Sequence, residues 1–342
     1  MSADRRRATI VDVARLAQVS TGTVSNVLAN HRSVKLRTRR RVEAAVAELN
    51  YRPNRIAQSL TGQPTRVIGM VVPDVTNPFF SELMLGAETE LEQAGYAVVF
   101  GNSHGSVNRQ NSYLRSFRDR RVDGLVLAMA PDTEAETLNE PADSIPLVLV
   151  DRSLDRWPGD QVLADNEAGM KLAVQHLVGL GHTRIALING EDVWTAAHRR
   201  RGFEAALRAE GLRPERQLIS RGSFTLESGL IQANHMLGLA DRPTAICAGN
   251  DLLAMATVVA AQEHRLSVPR DLSVVGYDDI DYARLISPGL TTVRQSATKM
   301  GAEAARLLLD RFTNNRTQDR TIVIRPTLVV RGSTATVPAR SR

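Results

Sequence analysis

The amino-terminal segment carries an apolar pattern with the period of two short helices. Thr9-x-x-Asp12 resembles a capping box, and apolar positions then recur every three or four residues until about residues 18–19, where we expect the first helix to end. Ser20 can cap a second helix over residues 21–28. The positions that we expect to face inward are Ile10, Val13, Ala14, Leu16, Ala17, Val24, Val27 and Leu28.

A third helix is predicted over about residues 38–50. Two short helices joined by a tight turn and followed by a third are typical of a helix-turn-helix unit. The outer face of the second helix carries small polar side chains, which can reach phosphates and base edges. These side chains are Thr21, Thr23, Ser25 and Asn26, and the third helix would bury Val42, Ala45, Val46 and Leu49.

From residue 66 the pattern changes to short apolar runs that alternate with helical stretches. Such alternation predicts parallel sheets covered by helices on both faces. The predicted strands are residues 67–72, 96–100, 124–128, 147–150, 185–188, 245–248 and 272–276, and the predicted helices include 79–94, 167–180, 202–211 and 251–265. The fold class is therefore an all-α headpiece followed by a doubly wound α/β core.

Positive charge is concentrated in the headpiece. Residues 1–62 carry twelve Lys/Arg and four Asp/Glu, a formal charge of +8, against +6 for the whole chain, so the remainder is at −2. Such asymmetry suits a segment that meets a polyanion, although a solvated basic tail is the simpler alternative. Arginines 39–41 crowd the first turn of the third helix and oppose its dipole, a cost that nearby phosphates would reverse. Charge, polar face and helix pattern together favour DNA binding.

Hydrogen-bonding and aromatic side chains follow the predicted strands of the core, where ligands bind in parallel sheets. Carboxylates, amides, guanidinium groups and aromatic faces suit a sugar, whose hydroxyls need both donors and acceptors. Asx side chains at such places also cap helices, and this interpretation stays open for Asp74 and Asp251. The candidate effector-binding residues are Asp74, Asn77, Phe79, Phe80, Asp151, Arg152, Arg199, Phe224, Asn250, Asp278 and Gln295.

Motifs along nearly the whole chain resemble the lactose/galactose repressor (LacI/GalR) family of bacterial regulators. They include Asp12-Val13-Ala14, Val19-Ser20-x-x-Thr23-Val24-Ser25-x-Val27-Leu28, Leu49-Asn50-Tyr51-x-Pro53-Asn54, Asn77-Pro78-Phe79-Phe80, Asp151-Arg152, Asn250-Asp251 and Gly276-Tyr277-Asp278-Asp279. The resemblance implies a core like periplasmic sugar-binding proteins, with two parallel-sheet subdomains around a cleft. It also implies a headpiece at residues 1–51, a hinge helix and linker at 52–65, and a core at 66–342. The core would divide into about 66–162 with 293–322, and about 163–292 with 323–342.

The same resemblance implies which residues meet DNA. Thr21, Gly22 and Asn26 would face bases in the major groove, whereas Leu60 of the hinge helix would wedge into the minor groove. A flexible linker is the alternative for residues 53–62. The remaining residues of the implied DNA-binding set are Ser20, Thr23, Ser25, Asn54, Arg55 and Ala57. Gln18 stands where the family usually has glycine, Asn26 where it commonly has arginine, and Lys35 where it has a serine cap.

The implied function is repression of sugar-utilisation genes under control of a ribose-like pentose, or of a nucleoside that contains one. An alternative within the class is a global catabolite regulator with a phosphoprotein co-effector. A transport sugar-binding protein would need a secretory signal, and the sequence has no recognisable one. Residues 332–342 carry no leucine heptads, which favours a homodimer on a two-fold operator.

An enzymatic function is not expected. Gly101-Asn102-Ser103-His104-Gly105 matches the nucleophile elbow of hydrolases, which would also need an acid and a histidine that activates Ser103. The candidates His176 and His182 are more simply interpreted as residues in and after a helix. The single cysteine and the scattered histidines predict no disulfide and no metal site, and no nucleotide-binding glycine motif implies a cofactor. We expect a cytoplasmic protein without a membrane span.

Overall fold

Three helices occupy the described part of the amino-terminal unit, Met1–Thr65. In the computed structural model they are α1 (Ile10–Leu16), α2 (Thr21–Leu28) and α3 (Leu36–Glu48). Their shared core consists of Val13, Ala14, Ala17, Val24, Val27, Val42 and Ala45. The structure describes residues 8–28, 34–51, 64–138, 145–154, 156–190, 193–314 and 316–337.

The first helix begins as predicted and ends earlier. Thr9 and Asp12 form the capping box, with the Thr9 amide donating to Asp12 Oδ2 at 2.9 Å. The last helical residue is Leu16, because Gln18 adopts a left-handed φ of 48°. The amide of Val19 donates to the Ala14 carbonyl at 3.0 Å and the Gln18 amide to the Arg15 carbonyl at 3.2 Å, the two bonds of a Schellman motif. Leu16 is 42% exposed, so the prediction that it faces inward was wrong.

The third helix lies two residues before its predicted position. Its N-cap residue, Lys35, makes no side-chain capping bond. Arg41 has a partner, because its guanidinium donates to the carbonyls of Ala17 and Gln18 at the end of α1. A cation at the carboxyl end of a helix is stabilising. The expectation that all three arginines only oppose the α3 dipole was therefore wrong for Arg41.

Gln18→Gly is expected to stabilise the headpiece by about 1 kcal/mol, because a left-handed residue with a Cβ costs roughly that much. Hydrogen–deuterium exchange of the α1 amides in the full chain measures the gain as slower exchange. Gln18→Val is the matched control and should accelerate exchange, since β-branched residues tolerate positive φ least. Slower exchange in both variants would contradict this explanation.

Two six-stranded sheets form the second unit, Arg66–Arg342. The strands of the first sheet are β1 (Val67–Val72), β2 (Ala97–Asn102), β3 (Gly124–Leu127), β4 (Leu147–Val150), β5 (Asp160–Ala164) and β11 (Thr321–Ile324). They lie in the order β11-β5-β4-β3-β1-β2, and all neighbouring strands are parallel. Helices α4 (Pro78–Gln93) and α11 (Ala297–Asn314) cover one face, and α5 (Val107–Asp119) covers the other, with a short helix α6 (Ala135–Leu138).

The strands of the second sheet are β6 (Ile185–Asn189), β7 (Ile219–Arg221), β8 (Ala245–Ala248), β9 (Ser273–Asp278), β10 (Thr291–Arg294) and β12 (Thr327–Val329). They lie in the order β12-β10-β9-β8-β6-β7, and among these strands only the β10–β12 pair is antiparallel. Helices α7 (Asn166–Gly179) and α8 (Trp194–Ala209) pack on one face, and α9 (Leu226–Leu237) and α10 (Asp251–Glu263) on the other. None of the described helices is long and apolar enough to cross a membrane.

The chain passes between the two sheets three times. The crossings fall at residues 164–166, 294–297 and 324–327, between strands of different sheets. Each subdomain is therefore assembled from separate stretches of the sequence. The second crossing follows Arg294, so β10 belongs to the second sheet.

Helices α4 and α11 approach each other closely at two glycine residues, Gly86 and Gly301. A Cβ built on Gly301 would lie 2.8 Å from the Ala87 nitrogen and would overlap the Leu83 carbonyl oxygen, and one built on Gly86 would overlap the Thr298 carbonyl. These neighbours are backbone atoms, which cannot swing aside as a side chain can. Glycine at both positions is a condition of this helix packing.

Candidate effector pocket and DNA-binding face

The carboxyl ends of the strands meet along one edge of each sheet and carry the polar side chains there. Asp151 directly follows β4, Asn250 follows β8 and is the N-cap residue of α10, and Asp278 is the last residue of β9. Asp151 has φ 68° and Asp278 has φ 112°. Non-glycine residues held at positive φ cost free energy, and such strain concentrates at functional sites.

These residues line one small cavity in the second unit, which we call the inner pocket. Every predicted effector-binding residue except Asp74 contributes to it, together with Thr195. The lining residues are Asn77, Phe79, Phe80, Asp151, Arg152, Thr195, Arg199, Phe224, Asn250, Asp278 and Gln295.

Arg199 is the centre of the polar network in the inner pocket. Its side chain is 4% exposed, and its guanidinium lies 3.7 Å from Asp278 Oδ1. It donates through Nε to Asn166 Oδ1 at 2.7 Å and through a second nitrogen to the Gly249 carbonyl. The guanidinium carbon also stacks 3.9 Å from the Tyr277 ring centroid. Four kinds of contact therefore hold one buried cation in place.

Gln295 completes this network and leaves one acceptor open. Its amide Nε2 donates to Asp278 Oδ1 at 2.6 Å. Its carbonyl Oε1 is buried and has no hydrogen-bond partner among the described residues. An unpaired buried acceptor costs free energy unless a ligand hydroxyl or a water donates to it.

Two buried carboxyl groups, those of Asp151 and Asp278, lie beside the guanidinium groups, and the carboxyl group of Asp251 is buried behind them. Burial raises the pKa of Asp278 well above its ordinary value, and Arg199 opposes that shift. Burial likewise raises the pKa of Asp151, against the influence of Arg152 and Arg199. The pKa of Asp251 is raised to about 7, first by burial. Charged groups in so dry a site bind hydrogen-bonding ligands strongly, because the local dielectric constant is low.

The alternative capping roles are real for several Asx residues. Asn77 Oδ1 accepts from the Phe79 amide at 3.1 Å, and Asn250 Oδ1 from the Leu253 amide at 2.9 Å. Asp251 is fully buried and accepts from the Ile280 amide at 2.9 Å and from the Thr292 hydroxyl, so its role is structural. Asn77 and Asn250 cap helices and still line the inner pocket.

A wider cavity, the outer pocket, joins the inner pocket. Its volume is about 500 Å³, and it shares Asn77, Phe80, Arg152 and Phe224 with the inner pocket. Asp74 lies here, where its carboxylate accepts from the Thr76 amide at 2.9 Å. The outer pocket also takes in residues that sequence reasoning missed, namely His104, Val193, Ser223 and Thr225.

Ser103 has no hydrolytic machinery around it. The residue is fully buried, and its hydroxyl donates to the Val72 carbonyl at 3.3 Å. His182 instead contacts Thr244 Oγ1 at 2.9 Å and Ser273 Oγ at 3.0 Å. Residues 101–105, which match the nucleophile-elbow motif, form the end of a strand and a turn.

The headpiece presents the predicted polar face of α2. Ser20 Oγ accepts from the Thr23 amide at 3.1 Å and caps the helix. Thr21, Gly22, Ser25 and Asn26 are exposed, Thr23 is half-buried, and the opposite face is buried through Val24 and Val27. The predicted hinge residues Asn54, Arg55, Ala57 and Leu60 lie outside the described residues.

The comparisons with known proteins agree with this organisation. Residues 9–54 match the family model of bacterial regulatory proteins of the lacI family, and residues 174–334 match that of a periplasmic binding protein-like domain. The HTH-type transcriptional repressor PurR of Aliivibrio salmonicida is 38% identical over 329 residues, which is 95% of this chain and 98% of the relative.

Two solved structures of repressors or regulators are also similar to this chain. The Lac repressor dimer bound to operator and the anti-inducer ONPF is 31% identical, with a TM-score of 0.86 over 96% of this chain and 100% of that chain. A LacI family transcriptional regulator from Enterococcus faecium with bound ribose is also 31% identical, with a TM-score of 0.72 over 79% of this chain and 99% of that chain.

The headpiece and the two-sheet core define a DNA-binding transcriptional repressor, a regulator that is not an enzyme. Within that class, the chain belongs to the LacI family.

Proposed function

We propose that the effector of this repressor is a small sugar, a pentose of the ribose type, held in the inner pocket. The observation that carries the proposal is the buried arrangement of Arg199, Asp278 and Gln295, with its unpaired acceptor. Each sugar hydroxyl can donate to a carboxylate or to Gln295 Oε1 and accept from a guanidinium. Vicinal hydroxyls match neighbouring donors and acceptors of this kind.

The aromatic walls of the pocket support a monosaccharide. Phe79 and Phe80 pack edge to face with centroids 5.1 Å apart. Phe224 lies directly over Gly190 and Gly249. Aromatic faces can pack on the C–H groups of a sugar ring. The regulator from Enterococcus faecium with bound ribose also supports this choice.

The sugar would act by changing the relation of the two subdomains. Side chains from both sheets line the inner pocket, and three chain crossings join the sheets. A ligand that contacts both sides therefore favours one arrangement of the subdomains. We expect it to change operator affinity about 5- to 150-fold, the usual range of allosteric coupling.

Calorimetry with D-ribose, adenine and adenosine tests the effector, followed by gel shift of a selected operator with each ligand. We expect ribose to bind and to alter operator affinity. Adenosine binding without ribose binding would identify a nucleoside, whose base would occupy the outer pocket. If a broad panel of free sugars and nucleosides gave no heat and no change in operator affinity, a phosphoprotein co-effector would replace this proposal.

We also propose that the repressor acts as a homodimer on a two-fold operator. Apolar side chains remain exposed on the edge strand β2, at Val99 and Phe100, and on α9 and α10, at Ile231 and Val259. Exposed apolar edges are typical of protein contacts. Sedimentation equilibrium tests the assembly, and a species with the mass of a single chain would contradict it.

Operator recognition is assigned to the exposed face of α2, together with the hinge residues named above. Asn26→Ala should cost ~1–3 kcal/mol of specific binding if Asn26 pairs with a base edge. Fluorescence anisotropy with the selected operator and with random duplex measures the ratio of the two affinities. Arg40→Ala is the comparison variant, expected to weaken both complexes equally through lost phosphate contact. An unchanged ratio for Asn26→Ala would remove this residue from direct readout.

A further inference from the structure

An arginine-lined groove on the second subdomain is distinct from the two pockets described above. Its volume is about 550 Å³. One wall is formed by α8, and the other by the segment that leads into β7. The lining residues, which together we call the arginine groove, are Arg200, Glu204, Arg208, Pro214, Arg216, Ile219 and Arg221.

Positive charge exceeds negative charge in this groove. Glu204 is the one carboxylate among the lining residues, and it already serves two arginines. Arg200 lies 3.7 Å and Arg208 3.1 Å from its oxygens. Arg216 makes no ion pair with the described part of the chain. Clustered like charges in a concavity repel one another and focus a positive potential.

The general charge of the chain does not explain this cluster, because the residues after 62 carry a formal charge of −2. Guanidinium groups bind phosphate oxygens through paired, charge-assisted hydrogen bonds. Pro214 and Ile219 add an apolar wall, and the groove is concave and of small-molecule size. We propose that the arginine groove binds a small phosphorylated metabolite, a phosphate ester or a nucleotide.

Helix α8 connects this site to the inner pocket. Arg199 lines the inner pocket and Arg200 lines the arginine groove, one residue further along the same helix. An anion that fixes Arg200 acts on the element that positions Arg199. The two ligands are thereby placed to influence each other's affinity, and any such coupling is reciprocal.

Isothermal titration of the full-length protein with inorganic pyrophosphate tests the site, with ribose 5-phosphate and ATP as further probes. We expect saturable binding at one site per chain. Arg216→Ala/Arg221→Ala should weaken binding at least tenfold. Arg115→Ala/Arg120→Ala, which removes the same charge from exposed positions on and after α5, should leave it unchanged.

Pyrophosphate carries no sugar ring, so its binding does not depend on the identity of the effector. Saturating D-ribose should therefore fail to displace it. Absence of saturable binding with all three probes would overturn the proposal. So would full binding in Arg216→Ala/Arg221→Ala, since the phosphate would then be held by the headpiece arginines or by the inner pocket.

Discussion

Arg199→Met is expected to abolish effector binding and to lower the free energy of unfolding of the core by about 3–5 kcal/mol, because it leaves a buried carboxylate without its cation. Arg199 is the ion-pair partner of Asp278, and both side chains are 4% exposed. The same substitution removes the bonds to Asn166 and Gly249 and the contact with the Tyr277 ring. Urea unfolding and calorimetry with D-ribose measure the two effects.

Two further variants separate the buried charge from a general effect of arginine loss. Arg201 lies on the same helix as Arg199, and Arg201→Met removes its surface ion pair with Glu167 of α7. This substitution should cost less than about 1 kcal/mol. Arg199→Met/Asp278→Asn should regain much of the stability lost in Arg199→Met but none of the binding, since the uncompensated carboxylate is gone. Equal stability of Arg199→Met and Arg201→Met would contradict this account of the pocket.

Gly301→Ala should lower the free energy of unfolding by about 3 kcal/mol, at the upper end of the usual cost of overpacking. The added methyl group would overlap the Leu83 carbonyl and lie 2.8 Å from the Ala87 nitrogen, so α4 and α11 would have to separate. These helices cover one face of the first sheet, and their apolar residues form a single cluster with it. Thermal and urea unfolding measure the loss.

Gly179→Ala is the matched control for this substitution. Gly179 is the last residue of α7, and no atom lies within 4 Å of the Cβ that the change would add. Alanine there should be neutral or stabilising by up to ~1 kcal/mol, since glycine in a helix costs conformational entropy. A comparable loss of stability in both variants would show that the α4–α11 contact is not the cause.

The strands with continuous apolar runs could be predicted from the sequence, whereas several short strands could not. Val67–Val72, Leu147–Val150 and Ala245–Ala248 were predicted with their observed bounds, because buried parallel strands are apolar throughout. The strands β7 and β11 are partly exposed and only three and four residues long, too short to show a period.

The beginning of α8 explains most of what was missed in the candidate site. The helix was predicted to begin at Gly202, but it begins at Trp194, because His198 and arginines 199–201 interrupt its apolar pattern. Thr195 and Val193, which line the two pockets, therefore went unnoticed. The other pocket residues were found because they follow strands and because the motifs resemble the family.

The three crossings between the sheets have a consequence for synthesis on the ribosome. Strands β11 and β12, which complete the two sheets, are formed by residues 321–329 and follow all the other strands in the sequence. A nascent polypeptide can form its headpiece early, but it lacks an edge of both sheets until these residues have been synthesised. Products truncated before residue 320 would keep the DNA-reading helices and lose the intact sensor.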